Sequence, residues 1–198
     1  MTGRDSEYEE YLQMVMIQKN EDLLEFILRG GKPEYVFFWG HQKPKSGVSK
    51  SCFSQWYGAS FEENGIQFRT AEHYMMYQKA VLFGDFAVAE KIIQCDLPNE
   101  VKKLGREVSG FDETLWNQNR LSIVVQANRL KFSQNPDLLA FLISTGDSIL
   151  VEASPVDKVW GIGLAADDER AKDPAQWRGE NLLGYALMLV RKAFMLKS

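Results

Sequence analysis

Between Arg69 and Ala80 the chain reads RTAEHYMMYQKA, placing a carboxylate, an imidazole, two phenols and an amine in one short stretch. With Thr70 as N-cap, Glu72 and His73 fall in the first helical turn, where the positive end of the helix dipole favours a carboxylate. Positions 72, 76 and 79 share one side of such a helix, so Glu72 and Lys79 can border one groove. His73 points partly around the helix. A carboxylate and an amine placed this way can balance positive charge on a sugar carbon or move a proton, and the amine can form an imine. The same residues also have a structural reading, in which Glu72 completes the helix start while His73 packs or hydrogen-bonds.

A second constellation lies in LVEASPVDKVWGIG, where Asp157 and Trp160 stand beside Gly161 and Gly163. An acid next to an indole in a glycine-containing turn suits a sugar or a nucleobase. Stacking of that kind contributes roughly 1–3 kcal/mol per base. Plain turn formation at the surface remains the other reading. The glycine spacing matches neither a phosphate loop nor a dinucleotide fingerprint. Arg69, Arg106, Arg120 and Arg191 are phosphate-binding candidates because guanidinium donates paired hydrogen bonds, and each can equally serve as a helix salt bridge. Trp116 reads as core, and Trp177 as either lid or packing. Cys52 and Cys95 with two histidines make no metal-ligand spacing, so neither a metal nor a cofactor is expected.

The elements that must position these groups are mostly helical. Residues 7–28 predict one helix or two short ones, with Leu23, Leu24 and Ile27 on an apolar face, stopped by Gly30-Gly31. YVFFW, residues 35–39, reads as a short buried strand. CFSQWYGASF is an aromatic strand or loop, and Asn64-Gly65 signals a turn before IQF, so these pieces form a small sheet or hairpin wall. Helices then follow from Thr70 to Val81 or Leu82, from Asp85 to Gln94 and from Asp112 to Phe132. Another opens at Pro136. SILVEAS has strand character, the stretch from about 155 to 180 reads as a polar loop able to rim a pocket, and Asn181 caps a final leucine-rich helix. The expected fold is a compact, mainly helical α+β domain with a small β element.

The chain has 198 residues, 45% hydrophobic and 25% charged, with a net charge of −4. That size supports one substantial core, burying about 70% of the unfolded surface. Mild acidity argues against broad nucleic-acid binding but permits a local site for a phosphate or a modified nucleotide. The acidic start has no signal-peptide core, no apolar run reaches the roughly 20 residues of a membrane span, and two scattered cysteines suit a reducing compartment. A cytoplasmic location is expected, with the nucleus equally compatible, and no membrane partner.

Several separated motifs in the same order resemble the NADAR family and its YbiA-like N-glycosidases. These are YVFFWG, FSQWYGASFEENGIQFRTAEHYMMYQKAVLFGD, KLGREV, WNQNR, the run NRLKFSQNPDLLAFLISTGDSILVEASPVDKVWGIG, and NLLGYALMLVR. The resemblance covers residues 35–191. It implies a domain over 35–198, preceded by a helical extension over 1–34. It also implies hydrolysis of an N-glycosidic bond, on ADP-ribosyl-guanine or on phosphoribosylamine-type riboflavin intermediates, with a noncatalytic nucleotide-binding module as the alternative. ADP-ribosylated guanine within nucleic acid is a further expected partner. The acid of the family's AEH motif corresponds to Glu72, its helix lysine to Lys79, and its D-x-x-W-G motif to Asp157, Trp160 and Gly161. Glu72, Lys79 and Asp157 are therefore the expected catalytic residues. Gln55, Trp56, Tyr57, His73, Trp160, Gly161 and Asn181, with the four arginines, form the expected binding set. Ser54-Gln55-Trp56 stands where the family often has S-N-F or S-N-W, so Gln55 keeps an amide but reaches one methylene farther.

Overall fold

In the computed structural model, which describes residues 17–196, helix α1 spans Asn20–Leu28 and buries Leu23 and Phe26. Residues 7–16 of the helix expected over 7–28 lie outside the described residues. Strand β1, Tyr35–Phe38, follows. It pairs in parallel with β4, Ile149–Glu152, so that Tyr35 faces Ile149 and Phe38 faces Glu152. Of YVFFW only Phe38 is buried. Trp39 lies past the last ladder pair and is 61% exposed, which corrects the reading of that run as wholly buried.

The CFSQWYGASF stretch is a 3-10 turn, Lys50–Phe53, continued by loop rather than strand. It leads into the antiparallel hairpin of β2, Phe61–Glu63, and β3, Ile66–Phe68. Asn64 and Gly65 take φ +54° and +82°, the pair of left-handed residues that a tight two-residue hairpin turn requires. Helices α2 (Ala71–Leu82), α3 (Phe86–Gln94), α4 (Pro98–Arg106), α5 (Glu113–Ser133), α6 (Pro136–Ser144) and α7 (Leu182–Met195) complete the mainly helical α+β fold. Their starts follow local chemistry. Thr70, Asp85 and Asp112 each accept a backbone N–H from three residues on, and prolines open α4 and α6. The LPNEVKKLGREV stretch, left unassigned by pattern, supplies α4.

The chain divides into two compact units, one from Gly40–Phe141, the other from the residues before and after it. In the Gly40–Phe141 unit, α2 packs against α3, α4 and α5. Phe61, Phe68, Ala71, Tyr74 and Ala127 form its buried cluster. Tyr74 sets its ring edge-on to Phe68 at 5.0 Å and donates its hydroxyl to Glu63 at 2.8 Å, so aromatic packing and a hydrogen bond register the hairpin on α2. Trp116, expected in the core, is half-buried on α5, whereas Val124, Ala127 and Phe132 are fully enclosed.

In the other unit, α7 lies on β4. Asn181 has φ +55° and caps nothing with its side chain. Instead its Nδ2 donates to the Leu150 carbonyl and its Oδ1 accepts the Glu152 N–H, both at 3.0 Å. The N–H groups of Leu182 and Leu183 donate to the carbonyls of Val159 and Trp160. The helix start is therefore closed by loop backbone while Asn181 clamps β4. Residues 155–180 are more ordered than a polar loop. They contain 3-10 turns Glu169–Lys172 and Pro174–Gln176, and residues 161–164 are buried. Trp177 bonds to the Ala171 carbonyl and sets its ring against Tyr35. No helix among the described residues is long and apolar enough to cross a membrane.

Removing the Asn181 amide would leave one buried donor and one buried acceptor of β4 without partners. Asn181→Ala is expected to lower unfolding free energy by about 2–4 kcal/mol. Denaturant titration checks this, and a change below about 0.5 kcal/mol would show that the clamp does not hold β4.

Candidate active site

Helix α2 places Glu72 in its first turn and Lys79 two turns on, both in the Gly40–Phe141 unit. Glu72 is 3% exposed, and its backbone N–H donates to the Gln55 carbonyl at 2.9 Å. That bond ties the loop carrying Gln55, Trp56 and Tyr57 to the start of the helix. A carboxylate enclosed at a helix N-terminus meets favourable backbone dipoles where water is scarce.

Lys79 is half-buried. Its Nζ donates to the Gly105 carbonyl at 2.6 Å and lies 4.4 Å from the ring centre of Phe111 and 5.6 Å from that of Trp116. Burial pulls its pKa below the ordinary lysine value, and the charge of Arg106 pulls it further the same way. Both effects raise the share of neutral amine, the form that attacks a carbonyl. The close seat of α4 on α2 depends on Gly105, where a Cβ would collide with the thioether of Met76. Met76 sits between Glu72 and Lys79 on the shared side of α2.

The Gln55 loop is fixed from α5. Lys131, fully buried, donates its Nζ to the carbonyls of Cys52 at 2.6 Å and Ser54 at 2.9 Å. Asn128 donates its Nδ2 to Gln55 Oε1 at 2.9 Å. Gln55 Nε2 and Asn128 Oδ1 are enclosed and have no partner within the protein. Neither Lys131 nor Asn128 was reached from sequence. On a helix both read as ordinary polar positions, and their three-residue spacing is the only signal that they share a side. Trp56 is half-buried, tilted against His41 with ring centres 5.6 Å apart, and Tyr57 is buried beside Lys131.

Other expected residues are engaged in holding the fold. His73 is buried, with Nδ1 on the Thr70 hydroxyl and Nε2 on the Cys95 carbonyl, and burial keeps its pKa below the ordinary value. Arg69 donates to the carbonyls of Ile93 and Cys95 and pairs with Asp96, closing the end of α3. Arg191, buried on α7, donates to the Thr145 hydroxyl and the Ser148 carbonyl, and burial draws its pKa down to about 10. Arg106 is exposed on the last turn of α4, and Arg120 is half-buried on α5. In the other unit, Asp157 Oδ1 accepts the N–H groups of Val159 and Trp160, and the Gly161 carbonyl accepts the Asn181 N–H. Among the described residues no cluster of His, Cys, Asp and Glu could hold a metal ion. An open groove of about 410 Å³ between α3 and α4 is lined by Lys91, Cys95, Glu100, Lys103 and Glu107, a mixture of both charges away from Glu72.

Because Arg106 lowers the Lys79 pKa, Arg106→Gln should raise it, while burial keeps it below the ordinary value. NMR titration of isotopically methylated lysines in the variant checks this, and an unmoved or lowered Lys79 pKa would exclude Arg106 as a cause.

Comparison with known proteins converges on one family. The NADAR domain model matches residues 37–195. An N-glycosidase of Acanthamoeba polyphaga mimivirus is 47% identical over 164 residues, covering 80% of this chain and 95% of that protein. Protein irg-1 of Caenorhabditis elegans is 40% identical over 156 residues, covering 71% of this chain and 74% of its own. The NMR structure of Escherichia coli YbiA superposes with a TM-score of 0.68 at 25% identity, covering 84% of this chain and 88% of that one. The helical fold and these matches make this chain a member of the NADAR family and an enzyme of N-glycosidase type.

Proposed function

We propose that the enzyme hydrolyses the bond between C1′ of a phosphate-bearing ribose and a base nitrogen, with ADP-ribosyl-guanine the favoured substrate. The observation that carries this reading is the placement on α2 of the buried Glu72 and, two turns on, of Lys79, whose pKa burial and Arg106 lower. Breaking C1′–N builds positive charge on the ribose, and the departing nitrogen needs a proton. Glu72 balances the charge or takes a proton from the attacking water, whose oxygen bonds to C1′. Protonated Lys79 supplies the proton to the leaving nitrogen. Neutral Lys79 has a second route, in which its Nζ bonds to C1′ of a ring-opened sugar as the base departs, and water then hydrolyses the imine.

Trp56, on the loop bonded to Glu72, supplies aromatic surface for the ribose or base, backed by the buried Tyr57 and Gln55. Arg106, on the helix that accepts the Lys79 proton donor, tunes the amine. Asp157, Trp160 and Gly161 carry the family's D-x-x-W-G motif in the other unit. His73, Arg191 and Asn181 act beneath the surface as supports, and Arg69 as an exposed one.

Glu72→Gln is expected to keep the fold and most ligand binding while lowering kcat by about a hundredfold or more. Product release from ADP-ribosyl-guanosine, an ADP-ribosylated oligonucleotide and a phosphoribosylamine-type riboflavin intermediate, assayed side by side, tests the substrate. Turnover of the last alone would replace the favoured substrate and keep the chemistry. A folded Glu72→Gln enzyme of near-normal rate would remove Glu72 from its role.

A further inference from the structure

The arginines first expected to bind phosphate include two, Arg69 and Arg191, that are engaged with the protein's own carbonyls, hydroxyl and carboxylate. Of the others, Arg106 is exposed on α4, and further cations stand over the aromatic loop. Three lysine amines lie over the consecutive rings of Trp56 and Tyr57. Lys43 Nζ is 5.4 Å from the Tyr57 ring centre, Lys131 Nζ is 5.6 Å from the same ring, and Lys102 Nζ is 5.8 Å from that of Trp56. These distances fall at the outer edge of cation–π attraction.

The three differ in what else they hold. Lys131 is fully buried, with two carbonyl acceptors, and is structural. Lys43 is exposed, and Lys102 is half-buried on α4. Among the described residues neither Lys43 nor Lys102 has a carboxylate within ion-pair range, unlike Lys103 beside it, which pairs with Glu100 at 2.8 Å. Unpaired amines beside half-exposed aromatic surface match a nucleotide end, with anionic oxygens for the lysines and a flat ring for Trp56 and His41.

We infer that Lys43 and Lys102 form the phosphate-binding part of the site, receiving the diphosphate of a nucleotide whose base lies against Trp56. The inference rests on the reading of the substrate as phosphate-bearing ribose. It replaces guanidinium recognition with two ammonium groups. Lysine offers a point charge without the planar fork of arginine, so the site favours charge over one fixed phosphate geometry.

Isothermal titration of the full chain with ADP-ribose and with adenosine tests this, comparing wild type with Lys43→Gln, Lys102→Gln, the double variant, both Lys→Arg variants, and Lys45→Gln as a neighbouring exposed control. Each Lys→Gln change should weaken ADP-ribose binding roughly tenfold or more, as for a lost charged hydrogen bond. Adenosine affinity should stay constant, the arginine variants should retain most binding, and Lys45→Gln should change nothing. Unchanged ADP-ribose affinity in the double variant would overturn the inference, as would an equal loss for adenosine, an equal loss in Lys45→Gln, or no binding of ADP-ribose by wild type. Lysine-dependent ADP-ribose binding without cleavage of any N-ribosyl bond would sustain this inference while ending the hydrolytic reading. Normal kcat and KM on ADP-ribosyl-guanosine in the double variant would do the reverse.

Discussion

A single buried ammonium organises the Gly40–Phe141 unit around its candidate site. Lys131 donates to the Cys52 and Ser54 carbonyls, in a stretch that otherwise forms only a 3-10 turn and loop. The loop joins no ladder, and besides Lys131 the Tyr57 N–H reaches one of these carbonyls, that of Ser54. Enclosure draws the Lys131 pKa down to about 8 and pushes the nearby Cys52 thiol up to about 11. At neutral pH the amine therefore remains charged and the thiol protonated. Holding a cation in the interior is tolerated because its protons meet two carbonyls and two aromatic rings. With Ser54 fixed, the next carbonyl, that of Gln55, is in place to receive the Glu72 N–H. The order of the α2 start thus passes through α5.

Polar side chains elsewhere sort by what they bond. His73, Arg69, Asn181, Arg191 and Asp157 all face main-chain groups that regular structure leaves open, such as helix ends, a strand without a second neighbour, and a turn. Each is functional in type and architectural in position. Lys79 differs, for it bonds one carbonyl while lying over aromatic rings, with a second cation lowering its proton affinity. The unpartnered amide atoms of Gln55 and Asn128 differ too. An enclosed donor or acceptor left alone costs about 1–3 kcal/mol.

What the sequence made legible was local. Thr70 before an acid, Asn64-Gly65 between short apolar runs, and Pro136 at a helix start each act on their own backbone within four residues, so their effects follow from type alone. The placement of Glu72 and Lys79 two turns apart on one helix was legible for the same reason. Asn181 was not. It occupies a helix start, as an N-cap does, but its amide turns to a strand some thirty residues earlier. Lys131 and Asn128 were equally opaque, because their partners lie more than seventy residues away. Trp39 failed in the opposite sense. Its hydrophobicity continues the strand pattern, yet the ladder ends one residue before it.

The parallel pairing of β1 with β4 carries a consequence for biosynthesis. More than one hundred residues separate the partners, and the entire Gly40–Phe141 unit lies between them in the chain. At a ribosome adding about 5–20 residues per second, β1 emerges on the order of 10 s before its partner exists. Residues 40–141 have their own hydrophobic cluster and can condense during that interval. The aromatic strand YVFF meanwhile waits with an open hydrogen-bonding edge, the kind of edge that recruits strands from other chains. Nascent chains stalled between these two points would therefore be the aggregation-prone species of this protein, and β4 the segment whose arrival closes that window.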